Sequence, residues 1–316
     1  MNIYELCDAF IEHKITIGYT YSYGKIVIHA LKKFIHERYP DKEILDKEIG
    51  EAWIASITNN SPNTSIRKIS IIRELGLYSS RIGISSYILP VNVAPKAITY
   101  IPHVFTEAEL DAFFKATDAI PAGVSPYRHL IIPIIFRFIY TCGLRPGEAT
   151  RLQTEHVNLE EGRVFIQKSK GHKDRNVILS DQVIALMKQF DMSMKQKLPS
   201  RTYFFAKDKE TGYTTTWLND MFWKCWENAG ITVFHGNRPR VMDFRHTFAT
   251  TRLLLWMEEE VDFDVFMPYL SAYMGHSSIR ETAYYFHLIP SFYSKSKAVD
   301  KIESKDLIPE VSVYEY

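Results

Sequence analysis

With 316 residues, 46% of them hydrophobic or aromatic, the chain has material for two domains that each bury a core. Its 38 Lys and Arg against 37 Asp and Glu give a formal net charge of +1, which excludes a protein that holds nucleic acid by uniform excess basic charge. The opening Met1-Asn2-Ile3-Tyr4-Glu5-Leu6 lacks a secretory signal's basic region and apolar run, and the most apolar stretch, His129 to Cys142, is broken by Pro133 and Arg137 and is too short to span a bilayer. Cys7, Cys142 and Cys225 are far apart and form no CxxC, a usage that fits a reducing cytoplasm.

The predicted elements begin with a helical unit over 1–90. Val27, Leu31 and Phe34 recur at helical spacing before Tyr39-Pro40, as do Ile66, Ile69, Ile72 and Leu75, with the polar run Asn59 to Asn63 as punctuation. Residues 91–104, with Pro90, Pro95 and Pro102 in and around them, read as a linker. A second domain over 105–290 opens with Thr106-Glu107-Ala108-Glu109, a capping box heading a helix with Leu110 and Phe113-Phe114 on its inner face. A core helix around Ile131 to Tyr140 follows, then a stop at Gly143 and a new helix started by Arg145-Pro146-Gly147-Glu148. Arg163 to Ile166 and Asn176 to Leu179 read as strands flanking a turn at Ser169 to Asp174. The expected fold is mainly α with a small antiparallel β-sheet, followed by a tail over 291–316.

Charge is unevenly spread. Arg67, Lys68, Arg73 and Arg81 share a segment whose one acid is Glu74; Arg163, Lys168, Lys170, Lys173 and Arg175 crowd one hairpin; and Arg238, Arg240, Arg245 and Arg252 lie in another segment. Any one such cluster is ordinarily a solvated face. They become informative beside an ordered series: Gly143-Leu144-Arg145-Pro146-Gly147-Glu148, Lys170-Gly171-His172-Lys173, Phe244-Arg245-His246-Thr247, Gly275-His276 and Tyr285.

The residue types fit cleavage of a phosphodiester by a tyrosine. Charge builds on two non-bridging oxygens as phosphorus becomes five-coordinate, and arginine forks hold such oxygens with fixed geometry. Arg145 sits at a helix start, where backbone amides also favour an anion, and Arg245 is read as starting the apolar helix Phe244 to Leu255. Lys170, with Lys168 and Lys173 as competitors, can protonate a leaving oxygen from its turn; His276 handles a proton; and Tyr285, with Tyr284 beside it as the rival, is the nucleophile. A phosphotyrosine conserves the bond energy, so neither metal, cofactor nor ATP is required. The sequence holds no GxxxxGK[ST], no HExxH and no paired-metal acidic cluster.

These motifs resemble the tyrosine recombinase, or phage integrase, family over roughly Phe105 to Pro290. The resemblance selects Lys170 and Tyr285 over their neighbours, and makes Arg145, Lys170, Arg245, His276 and Tyr285 the catalytic set. It implies an N-terminal helical core-binding (SAM-like) domain, an α+β catalytic domain, double-stranded DNA with specific recombination sites as partner, four protomers on two synapsed sites, and a tail that docks on a neighbouring protomer or its own domain. Arg67, Lys68, Arg73, Lys173, Arg175, Arg238 and Arg240 are the expected DNA contacts. The wording around Arg238-Pro239-Arg240 and Pro268 to Ser271 is most like recombinases of bacterial mobile elements, which implies a cytoplasmic, nucleoid-associated protein.

One position departs from the family: Met242 stands three residues before Arg245, where His or Lys is usual. A thioether exchanges no proton, so the resemblance implies an enzyme that is slow, regulated or inactive. His235 is within reach from the preceding loop, whereas His246 is expected to face another side of the helix. The reading is a site-specific recombinase acting through a 3′-phosphotyrosine. Its alternatives are a recombinase-derived DNA-binding accessory protein and a type IB topoisomerase-like enzyme.

Overall fold

The computed structural model describes residues 1–167, 174–231 and 238–289. Lys170, its competitors Lys168 and Lys173, His235 and the tail over 291–316 lie outside the described residues. The chain divides into two compact units, Met1–Tyr100 and a second that begins at Ile101.

The first unit is four helices: α1 (Ile3–Thr16), α2 (Ser22–Arg38), α3 (Lys47–Ser56) and α4 (Pro62–Arg81). Three of the four starts have a plain chemical cause. Asn2 and Glu5 form a reciprocal capping box on α1, Asp46 accepts from the Ile49 amide at α3, and Pro62 occupies the first turn of α4, where its missing N–H costs nothing. Leu6, Phe10, Ile28, Leu31, Ile35, Trp53, Ile72 and Leu75 share one core. The segment expected as a linker is divided between the units. Asn63 holds both the N–H and the C=O of Ile98 through its side-chain amide, which ties the chain to the first unit up to that point.

The second unit contains α5 (Glu107–Asp118), α6 (Arg128–Thr141), α7 (Pro146–Thr150), β1 (Val157–Asn158), β2 (Arg163–Ile166), β3 (Arg175–Ile178), α8 (Asp181–Lys197), α9 (Thr215–Asn228), α10 (Val241–Glu258), α11 (Phe263–Met274) and α12 (Ile279–Ala283), then a 3-10 turn over Tyr284–Leu288. The Thr106–Glu109 capping box heads α5. The strands form one antiparallel sheet in the order β1-β2-β3, with Val164 opposite Val177, and β3 begins one residue earlier than its hydrophobic pattern implies. Phe113, Phe136, Phe222, Trp226 and Phe244 form an aromatic centre that joins α5, α6, α9 and α10. Among the described residues no helix is long and apolar enough to cross a membrane.

α10 starts at Val241, three residues before the expected start at Phe244. Asp243 supplies the reason: its carboxylate accepts from the Arg240 backbone N–H at 2.9 Å, which caps the helix earlier. Arg245 is therefore in the second turn, behind the helix-end amides, and other groups must satisfy its charge.

Candidate active site

Three arginines meet at the C-terminal end of α11. The last carbonyls of a helix have no partner within it, and here guanidinium groups supply them. Arg175 Nε donates to the Tyr273 carbonyl at 2.7 Å, Arg245 Nη2 to the Met274 carbonyl, and Arg145 Nη2 to the Gly275 carbonyl at 3.1 Å. The other end of the Arg245 fork donates to the Gly143 carbonyl at 2.6 Å. Cations also complement the negative end of the helix dipole. Gly275 ends α11 with φ +64°, and an added Cβ would stand 3.0 Å from Arg175, so both conformation and space call for glycine.

Glu148 lies between two of these arginines. Its carboxylate receives Arg145 Nη1 at 2.9 Å and Arg175 at 3.0 and 2.8 Å, and its side chain is only 3% exposed. It also accepts from the Arg145 backbone N–H, which caps α7. Arg175, expected as a DNA contact, has a side chain 8% exposed with its fork on Glu148. It belongs to the framework of the site, because a buried carboxylate and a helix end both require its charge.

Arg245 is buried, and that burial, with Arg145 nearby, lowers its pKa to about 10. His276 follows Gly275 directly. Its Nδ1 lies 2.7 Å from Thr282 Oγ1, and burial followed by the Arg245 charge pushes it down to about 4, so it is neutral at pH 7. The Tyr285 ring lies against the His276 ring, centroids 6.0 Å apart and planes at 21°. Burial raises the Tyr285 phenol above its ordinary value, against the opposing charge and hydrogen bond of Arg245 and the charge of Arg145. Tyr285 is 3% exposed whereas Tyr284 is 36% exposed, so it is Tyr285 that faces the arginines.

The structure thus brings Arg145, Arg245, His276 and Tyr285 together from α7, α10, the α11–α12 turn and the 3-10 turn. Met242 lies half-buried on the first turn of α10. His246 differs from expectation: its ring lies 5.6 Å from that of Tyr285, because the 3-10 turn packs against α10. Sequence reasoning also missed the joining role of Glu148. Its place three residues after Arg145 was a capping signal, but its second partner, 27 residues on, left no local trace.

The remaining expected DNA contacts are on separate surfaces. In the first unit Arg67 is exposed, its guanidinium 4.3 Å from the Tyr23 ring centroid; Lys68 donates to Asn60 at 3.3 Å; and Arg73 is half-buried, donating to the Leu89 carbonyl. That engagement turns Arg73 toward its own unit. In the second unit Arg238 stacks on Trp223 at 3.5 Å, and the Arg240 side chain is 48% exposed.

A helical domain with a small sheet, two arginines, a buried histidine and a buried tyrosine on one cluster defines a class of DNA strand-exchange proteins. Residues 103–291 match the phage integrase family, and the chain belongs to that family, the tyrosine recombinases. It is 25% identical over 284 residues to a Sinorhizobium fredii protein provisionally named integrase/recombinase y4rE, covering 89% of this chain and 90% of that one. It is likewise 25% identical over 240 residues to tyrosine recombinase XerC of Staphylococcus saprophyticus, covering 73% of each. In fold it is similar to lambda integrase solved as a dimer bound to a COC′ core site, with TM-score 0.66, 15% identity, and 90% and 95% of the two chains covered. Lambda integrase solved as a tetramer on a Holliday junction gives TM-score 0.66 at 14% identity, with 90% and 77% covered.

Proposed function

We propose that the chain is a site-specific DNA recombinase that cuts and rejoins strands through a 3′-phosphotyrosine at Tyr285, using neither metal nor ATP. The observation that carries this reading is the buried Tyr285 ring lying against His276, its phenol under the charges of Arg245 and Arg145. Arg145 and Arg245 hold the non-bridging oxygens of the scissile phosphate and stabilise the charge that develops there. His276 donates to the same phosphate, and Lys170 protonates the leaving 5′ oxygen. Arg67, Lys68, Arg238 and Arg240 contact DNA, with Lys173 from the hairpin. By analogy with the lambda integrase tetramer, four protomers synapse two sites, and the tail over 291–316 links or caps them. A bacterial mobile element, and hence the nucleoid, is the setting that fits the sequence wording.

Met242 supports slow chemistry, since one acid–base group typically contributes a hundredfold or more. It also favours the second reading, a DNA-binding accessory protein without catalysis. Covalent trapping separates them. A nicked suicide duplex, selected from a random-sequence pool by its binding to the full chain, gives a denaturation-resistant adduct with wild type and none with Tyr285→Phe. Met242→His accelerates adduct formation. Tight binding without an adduct, even in Met242→His, removes the recombinase reading, and relaxation of supercoils without exchanged products redirects it to a topoisomerase.

A further inference from the structure

Resting on that reading, we propose that His246, with the Asp243 carboxylate near it, takes the phenolic proton of Tyr285 as its oxygen attacks phosphorus. Two imidazoles lie against the Tyr285 ring, and they are engaged differently. His276 commits Nδ1 to Thr282. His246 directs Nε2 toward Asp243 Oδ1, 3.9 Å away, while its Nδ1 is buried and has no hydrogen-bond partner among the described residues. An unmatched buried polar atom is costly to keep, and in a native structure it calls for an explanation, a catalytic role among them. The ring carrying this nitrogen is 5.6 Å from the Tyr285 ring, with planes at 50°.

The buried ring is uncharged at neutral pH, with a lone pair available, and is a weak base in the free protein. Burial first, then Arg240 and Arg245 on the same helix, pushes His246 down to about 4, so the ring is neutral at pH 7. The groups facing the pair from other elements are His276 and Glu281 around the phenol, and Arg145 from α7. A phosphate held by Arg245 offsets one of the cations acting on His246 and raises its basicity when substrate is in place. The imidazolium that forms has the fully buried Asp243 carboxylate beside it. A base beside the nucleophile, with a carboxylate near enough to stabilise the charge the base acquires, follows the logic by which hydroxyls are generally activated.

In the step, the Tyr285 O–H bond breaks and its proton passes to Nδ1 of His246. The phenolic oxygen bonds to phosphorus, the bond to the 5′ oxygen breaks, and that oxygen takes a proton from Lys170 or water. Religation reverses each transfer. Met242 and His246 are one turn apart on one face of α10, so an imidazole absent from the first turn is present on the second.

The test compares wild type, His246→Gln, His246→Asn and Tyr285→Phe in the trapping assay from pH 5.5 to 9.5, with duplex affinity measured in parallel. The expected wild-type rate is level through neutrality. Both His246 variants bind DNA as wild type does, form adduct about a hundredfold more slowly at pH 7, and gain about tenfold per pH unit as hydroxide replaces the lost base. His246→Ala regains rate with added imidazole. A rate within threefold of wild type with an unchanged pH profile, or a pH-independent loss that imidazole does not restore, overturns the proposal. Absence of any Tyr285-dependent adduct in wild type instead overturns the recombinase reading itself.

Discussion

The guanidinium of Arg245 donates to the carbonyl of Gly143, 2.6 Å away and 102 residues earlier in the chain. The same fork reaches the Met274 carbonyl, so one side chain joins the end of α6, the second turn of α10 and the end of α11. A lysine has one ammonium and cannot span both carbonyls. Arg245→Lys is expected to slow adduct formation by about a hundredfold or more and to lower the melting temperature, measured by trapping and by calorimetry on one preparation.

Glu148 is the carboxylate shared by Arg145 and Arg175. Removing one partner of a buried ion pair costs about 3–5 kcal/mol. Glu148→Gln keeps the shape and loses the charge, so urea unfolding is expected to show a loss toward the lower end of that range, with Glu148→Ala beyond it.

Gly275 combines a left-handed backbone with the close approach of Arg175. Gly275→Ala is expected to destabilise by about 1–2 kcal/mol from conformation alone. Gly230, also at positive φ but with nothing within 4 Å of an added Cβ among the described residues, is the control: Gly230→Ala bears the conformational cost without the crowding seen at Gly275. Equal losses at the two positions would show that the contact with Arg175 contributes nothing.

His246 and His276 both have folded-state pKa values near 4, below the ordinary 6.5, because burial and nearby arginines disfavour their charged forms. The unfolded chain therefore binds more protons between those values, and stability rises with pH across that window. The contribution is fully present above about pH 6.5 and is lost as pH falls toward 4, by on the order of 1–3 kcal/mol per histidine. Urea midpoints from pH 8 to 4 are expected to fall less steeply for His276→Asn and His246→Asn than for wild type.

Local chemistry made much of this legible from sequence. The Thr106–Glu109 box and Pro146 each name a helix start by satisfying or removing orphan amides, and β2 was readable from the pattern of Arg163 to Ile166. What stayed hidden depends on distant parts of the chain. Arg175 reads as a hairpin surface charge until its partners Glu148 and Tyr273 are known, 27 and 98 residues away. His246 was misjudged because a helix wheel shows which residues share a face but not which faces a later turn will cover. Arg145 and Tyr285 could be named in advance; that Arg145 is committed to Gly275 could not.

The three arginines find their carbonyl partners only at Tyr273, Met274 and Gly275, the last of them 130 residues after Arg145. Ribosomes add about 5–20 residues per second, so a nascent chain carries its first arginine box for on the order of ten seconds before the end of α11 exists to receive it. Through that interval, and in any prematurely ended product lacking α11, the three-arginine cluster is unformed. Order of synthesis thus delays assembly of the proposed site until nearly all of the second unit has been made.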